Sequence, residues 1–318
     1  MAIGTIDTIG HCTAEIPHVN KTRAPEYADD MMTRFIDTLT ASWRRTGSLL
    51  CVGLDPDADK LPRAAIDALD GGAGAGLFAF NREVIDATAP WACAFKAQFA
   101  HYAAVGAERE LQRSIAYIKQ RHPDTPVILD AKRGDIGATA RMYAREVFER
   151  YGADAVTVNP YLGGDALAPF LEYADKGVFV LCRTSNPGSG DFQQLAVDGT
   201  GGRTLAEHVA ARAAGAWNAN GNVGLVVGAT WPEEVGKIRA QVGAMPLLIP
   251  GVGAQGGDLA ATLENGLVDV GDAVRAGLLI NISRGITGAA GDGEDFAAAA
   301  GRAAQRWCGE INRLRGCG

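Results

Sequence analysis

Between Asp130 and Asp135 the chain reads Asp-Ala-Lys-Arg-Gly-Asp, two carboxylates with an ammonium between them. The segment continues the apolar run Val127 to Asp130, so it reads as the end of a strand. Side chains alternate along a strand, which puts Asp130 and Lys132 on one side, with Asp135 just beyond on a loop. A second ammonium, Lys96, lies in the apolar run Ala92 to Ala97. Carried on neighbouring strands, Lys96, Asp130, Lys132 and Asp135 make an alternating set in which every charge is paired and each pKa depends on the others. Such a set can stabilise a developing negative charge and deliver a proton. A structural salt-bridge network is the plainer alternative. What favours chemistry is a second feature, the glycine string Gly251-Val252-Gly253-Ala254-Gln255-Gly256, which is suited to holding a phosphate through backbone N–H groups.

These groups converge only if the elements carrying them do. Eight short apolar runs recur along the chain: Leu49 to Leu54, Ala92 to Ala97, Val127 to Asp130, Ala155 to Val158, Val178 to Cys182, Val223 to Val227, Pro246 to Ile249 and Leu278 to Ile282. Most lack polar alternation, as expected of parallel strands buried on both faces. Helical spacing fills the intervals: Leu77 to Thr88, Ala107 to Arg121, Ala138 to Tyr151, Gly164 to Ala174, Arg203 to Ala219, Pro232 to Gln241, Gly257 to Glu264 and Asp295 to Leu314. Eight strands alternating with eight helices predict an α/β fold of the (β/α)8 TIM-barrel type. An open doubly wound sheet would place its glycine fingerprint after the first strand, where this chain has Asp55-Pro56-Asp57. In a barrel, active residues stand at the C-terminal strand ends. This directs attention to Asp55, Lys96, the Asp130 to Asp135 segment, Arg183-Thr184-Ser185 and Ser283-Arg284. Residues 1–31 carry Pro17 and Pro25 and no sustained period, so they are expected to be an extension outside the core, with 32–318 a single barrel domain.

Composition narrows the class. The 318 residues are 47% hydrophobic and 21% charged, a normal globular balance that excludes a disordered or fibrous chain. With 41 Gly, about twice ordinary usage, the chain has the turns that many short elements require. A net charge of −7 provides no basic footprint for nucleic acid or an anionic membrane, yet leaves room for one phosphate in a local pocket. No apolar stretch approaches the roughly 18 residues needed to cross a bilayer, and the first 30 residues are too polar for a signal peptide. The six Cys form no CxxC and no zinc-type pairing with the five His, so no metal site is expected and a reducing, cytoplasmic location is.

The segment Val127 to Thr139, VILDAKRGDIGAT, is similar to the signature of the orotidine 5′-phosphate decarboxylase family in the KRGDIG form of its longer bacterial branch. Thr184-Ser185-Asn186-Pro187-Gly188, Val227-Gly228-Ala229-Thr230, the Pro250 to Gly257 string and Ser283-Arg284-Gly285 follow in the family's order, and LDPD stands at Leu54 to Asp57. The resemblance spans roughly Thr33 to Gly288. It implies decarboxylation of orotidine 5′-monophosphate to uridine 5′-monophosphate, the last step of UMP biosynthesis, without cofactor. Lys132 would be the proton donor, in a charged array with Lys96, Asp130 and Asp135. Asp55 and Thr139 would contact ribose hydroxyls, Ser185 the pyrimidine edge, and Gln255 and Arg284 the 5′-phosphate. It also implies a homodimer with shared active sites, whose Asp135 and Thr139 reach into the neighbouring subunit.

Two features depart from the compact members of that family. The glycine-rich stretch Gly188 to Thr204 is longer than they need and reads as a mobile lid. Ser283 precedes the arginine where many members have glycine. A magnesium-dependent sugar-phosphate decarboxylase or aldolase shares the Asp-x-Lys-x-x-Asp string but carries an acidic metal ligand at the place of Lys96, where an ammonium repels a divalent cation. A non-catalytic nucleotide-binding barrel would not require the charged array.

Overall fold

The computed structural model describes Met1 and residues 34–57, 73–253, 255–270, 274–291 and 293–317, and the side chains of 73–75 are not part of that description. The expected N-terminal extension, residues 1–31, lies outside the described residues apart from Met1.

Each of the eight apolar runs forms a strand of the barrel. They are β1 (Leu50–Leu54), β2 (Ala94–Gln98), β3 (Val127–Arg133), β4 (Ala155–Val158), β5 (Gly177–Arg183), β6 (Val223–Val227), β7 (Leu247–Ile249) and, last in the chain, β10 (Leu278–Ile282). The strands pair in parallel and close in the order β1-β10-β7-β6-β5-β4-β3-β2. Val, Ile, Leu and Ala dominate them because one face packs on the barrel interior and the other on the helical ring. β1, β4, β6 and β10 are buried along their whole length.

Local signals set the helix ends. Thr204 and Glu207 form a capping box, so the helix expected from Arg203 starts at Leu205. Asp258 and Asp295 accept the first free N–H groups of helices Leu259–Gly266 and Phe296–Leu314, and Pro232 opens Pro232–Val242. The helix expected over Ala138 to Tyr151 is α-helical only over Gly137–Arg145 and closes in a π-turn over Glu146–Arg150. The C-terminal helix seals the barrel's outside against Ala73–Thr88, with Phe296 stacked on Phe80 at 5.1 Å between centroids.

The periodicity did not predict the small elements. An antiparallel hairpin, β8 (Val268–Val270) with β9 (Val274–Ala276), stands apart from the barrel before β10. Short helices at Phe99–Ala103, Gly190–Gln193 and Arg284–Thr287 follow β2, β5 and β10 at the C-terminal end. Each is too short for a 3.6-residue period to show. At the opposite end, the buried guanidinium of Arg239 donates to the carbonyls of Gly243, Met245, Gly266 and Gly277. It thereby ties the turns before β7 and β10 together.

Cys51, Cys93, Cys182 and Cys308 are free and buried, as their apolar contexts suggested for the first three, whereas Cys317 is exposed and Cys12 lies outside the described residues. Among the described residues no helix is long and apolar enough to cross a membrane.

Candidate active site

A cavity of about 780 Å³ opens at the C-terminal strand ends. Seven of the nine residues expected at the site line it: Asp55, Lys96, Asp130, Lys132, Ser185, Gln255 and Arg284. Asp135 and Thr139 do not line it within the same chain. Asp135 instead accepts a hydrogen bond from the Ile136 N–H at 2.8 Å, and Thr139 is exposed on helix Gly137–Arg145.

One wall of the cavity is a linear chain of charges. The Lys96 ammonium lies 3.2 Å from Asp55 Oδ1 and 3.3 Å from Asp130 Oδ2, and the Lys132 ammonium lies 2.7 Å from Asp130 Oδ1. Within one chain the alternating order is therefore Asp55, Lys96, Asp130, Lys132. The expected set had Asp135 at its end and left Asp55 outside. Lys96 is almost wholly enclosed, at 4% side-chain exposure, whereas Lys132 is 45% exposed and faces the open cavity.

Burial disfavours the charged form of Asp130, but Lys96 and Lys132 outweigh it, and hydrogen bonds from Lys132 and Thr157 add to them, so its pKa falls to about 2. Burial likewise works against the Lys96 ammonium, and Asp55 and Asp130 reverse it, leaving Lys96 above the ordinary lysine value. Both groups are thus held in their charged forms at neutral pH.

Neutral groups hold the carboxylates in place. Gln98 donates its side-chain amide to Asp130 Oδ2 at 3.0 Å and its backbone N–H to Asp55 Oδ1 at 3.1 Å. Ser283 Oγ donates to Asp55 Oδ2 at 2.5 Å, and Thr157 Oγ1 to Asp130 Oδ1 at 2.7 Å. Sequence reasoning missed Gln98 and Thr157 because polar residues on strands carry no motif, although their inward register beside Lys96 and Asp130 was a usable signal. His101, also missed, lines the rim with Nδ1 2.9 Å from the Pro56 carbonyl oxygen.

The geometry of β3 differs from plain alternation. The β3–β4 register shifts between Leu129 and Arg133, and Lys132 has φ +46°, in the left-handed region. Its side chain reaches Asp130 from a bulged backbone and not from a regular pleat.

Beyond the charged wall, Gly251, Val252, Gly253, Gln255 and Arg284 also line the cavity. Arg284 is exposed and pairs with no carboxylate among the described residues, which leaves its planar fork of donors available to an oxyanion. Ser185 is brought close by Gly228, where a Cβ would stand 2.7 Å from the Ser185 Cα. Arg183, expected to converge on the mouth, is instead fully buried. It pairs with Glu234, donates to Ser189 and stacks on Trp231 at 4.3 Å, so it braces the end of β5. The stretch expected as a lid carries a short helix, Gly190–Gln193, and a bridge between Ala196 and Thr204, and its Gln193 reaches the cavity.

A closed parallel barrel with an Asp/Lys array in the cavity at its C-terminal mouth defines an enzyme of the (β/α)8-barrel class. A family model described as orotidine 5′-phosphate decarboxylase / HUMPS family matches residues 48–299, and the chain belongs to that family. It is 55% identical over 281 residues to the orotidine 5′-phosphate decarboxylase of Aromatoleum aromaticum, covering 88% of this chain and 99% of that protein. Among solved structures it resembles OMP decarboxylase from Leishmania donovani, with a TM-score of 0.74 and 41% identity over 90% of this chain and 100% of that one. It also resembles UMP synthase of the same organism, with a TM-score of 0.76 and 43% identity over 89% of this chain and 57% of that longer one.

Proposed function

We infer that this protein decarboxylates orotidine 5′-monophosphate to uridine 5′-monophosphate in pyrimidine biosynthesis, as a carboxy-lyase. The observation that carries this reading is the buried Lys96 between Asp55 and Asp130, next to the Lys132–Asp130 pair. Loss of CO2 from C6 leaves a carbanion with no adjacent electron sink, so the stabilisation has to come from preorganised charge. Lys132 faces the cavity and supplies that charge, then protonates C6. Asp130 stands where the substrate carboxylate approaches. Two like charges about 4 Å apart repel by about 4 kcal/mol at an effective dielectric of 20, a repulsion relieved as CO2 leaves. Binding energy from the remote phosphate, held by Gln255 and Arg284, opposes that repulsion. Asp55 is assigned to the ribose and Ser185 to the pyrimidine edge. Lys96 would repel a divalent cation from Asp130, which favours decarboxylation by charge alone over a magnesium-dependent sugar-phosphate reaction.

We read residues 32–318 as one catalytic domain and the protein as cytoplasmic and homodimeric, with Asp135 and Thr139 completing the partner's site. In support, both residues lie outside their own cavity, Ile136 and Met142 close to them in sequence are exposed large apolar side chains, and so are Tyr161 and Leu162, which follow the Asn159 that packs against Gly134. A patch of that kind marks an interface.

Loss of orotidylate absorbance tests the activity directly. Turnover should persist in a chelator. Activity that disappears with chelation and returns with magnesium would favour the metal-dependent reaction, and nucleotide binding without turnover would leave a binding barrel.

A further inference from the structure

We propose that Thr157 is a positioning residue for proton transfer, its hydroxyl fixing the backbone and the ammonium of Lys132 together. The proposal rests on the reading of Lys132 as the proton donor. Thr157 lies in β4 and is 1% exposed. Its Oγ1 accepts a hydrogen bond from the Lys132 backbone N–H at 3.0 Å and donates one to Asp130 Oδ1 at 2.7 Å. The direction is forced, because an amide N–H can only donate and an ionised carboxylate can only accept. The same Asp130 Oδ1 accepts the Lys132 ammonium at 2.7 Å. The path from the Lys132 amide through the Thr157 hydroxyl and Asp130 thus closes on the Lys132 side chain.

That ring explains an otherwise unfavourable backbone. Among the described residues Lys132 is the only non-glycine with positive φ, and it falls where the β3–β4 register shifts. A bulge leaves an amide without its ladder partner, and a left-handed lysine persists only where its surroundings hold it. The Thr157 hydroxyl takes the orphaned N–H. Without it the backbone is free to relax toward negative φ and carry the ammonium away from its place over the cavity. A misplacement of about 1 Å of a reacting group costs on the order of 100-fold in rate.

The test replaces the hydroxyl by a methyl group of the same size, Thr157→Val, in the full-length chain. We expect kcat to fall about 10- to 100-fold, the loss associated with one hydrogen bond to a charged group. KM should change less than about 3-fold, and UMP titration should still find one site per chain. Thr157→Ser, which keeps the hydroxyl, should return kcat to within about 3-fold of wild type. Wild-type kcat in Thr157→Val overturns the proposal, as does a loss of UMP sites in proportion to lost kcat, or a Thr157→Ser variant as slow as the valine. If the valine variant does not fold, Thr157→Cys, with only a weak donor of similar size, is judged by the same criteria. Lys132→Ala separates the two levels of argument. Full turnover in that variant sinks the proton-donor reading and this proposal with it, whereas an inactive Lys132→Ala beside a fully active Thr157→Val sinks only the role of Thr157.

Discussion

Asp130 accepts hydrogen bonds from Gln98, Lys132 and Thr157 and pairs with the Lys96 ammonium, and with its pKa at about 2 it is ionised throughout the neutral range. Its folded pKa lies below the unfolded value, so its stabilisation is fully present above about pH 4 and is lost as pH falls through about 2. By linkage the contribution is about 2 kcal/mol. Lys132→Ala removes one of the charges that depress this pKa, so acid unfolding followed by circular dichroism should begin at higher pH than in wild type. The same variant should lose nearly all turnover at neutral pH while remaining folded. Arg284→Ala should chiefly raise KM, with a smaller fall in kcat, because the phosphate grip supports the chemistry from a distance. Steady-state kinetics on the two variants would separate these roles, and a Lys132→Ala enzyme with wild-type kcat would remove the catalytic assignment.

The contact between β1 and β10 shows how neighbouring strands set a site residue. Gly53 faces Ser283 so closely that a Cβ at position 53 would stand 1.8 Å from Ser283 Oγ. That approach lets Ser283 reach Asp55. Gly53→Ala should therefore destabilise the barrel by about 1–3 kcal/mol through overpacking and lower kcat/KM by displacing Asp55. Adding Ser283→Gly, which removes the side chain that a Cβ at position 53 would meet, should recover most of the stability. A double-mutant cycle on thermal unfolding reads the coupling, and additive effects of the two changes would show that the contact does not govern packing there. The apolar runs showed the strands themselves from sequence, because burial on both faces leaves an unbroken hydrophobic signature. The short helices after β2, β5 and β10 were not legible, since elements of four or five residues contain less than two turns of period.

At the scale of the molecule, the shared-site reading gives a quantitative outcome. Neither Lys132→Ala nor Asp135→Ala homodimers should turn over. If Asp135 acts across the interface, a mixed dimer holds one site with both lesions and one with neither. Random exchange makes half the dimers mixed, so about one quarter of wild-type activity should return. Subunit exchange can be followed independently with a mass tag. Exchange without recovered activity would place Asp135 in its own subunit's site.

The sequence alone determined the barrel and named most of the charged and polar residues that meet in its cavity. Eight buried runs and a charged segment at the end of the third are local patterns, and seven of the nine named residues do line one cavity. Its VILDAKRGDIGAT segment also carried the family. Only the tertiary structure decided the partners. It placed Asp55 in the charge array, showed Gln98, Thr157 and Ser283 holding the carboxylates, and turned Arg183 away to brace β5. The physical reason is that membership depends on residue type and strand register, which sequence carries. Which donor meets which acceptor depends on strand closure, on the bulge at Lys132 and on a glycine small enough to let Ser283 approach, and these arise only when distant segments pack.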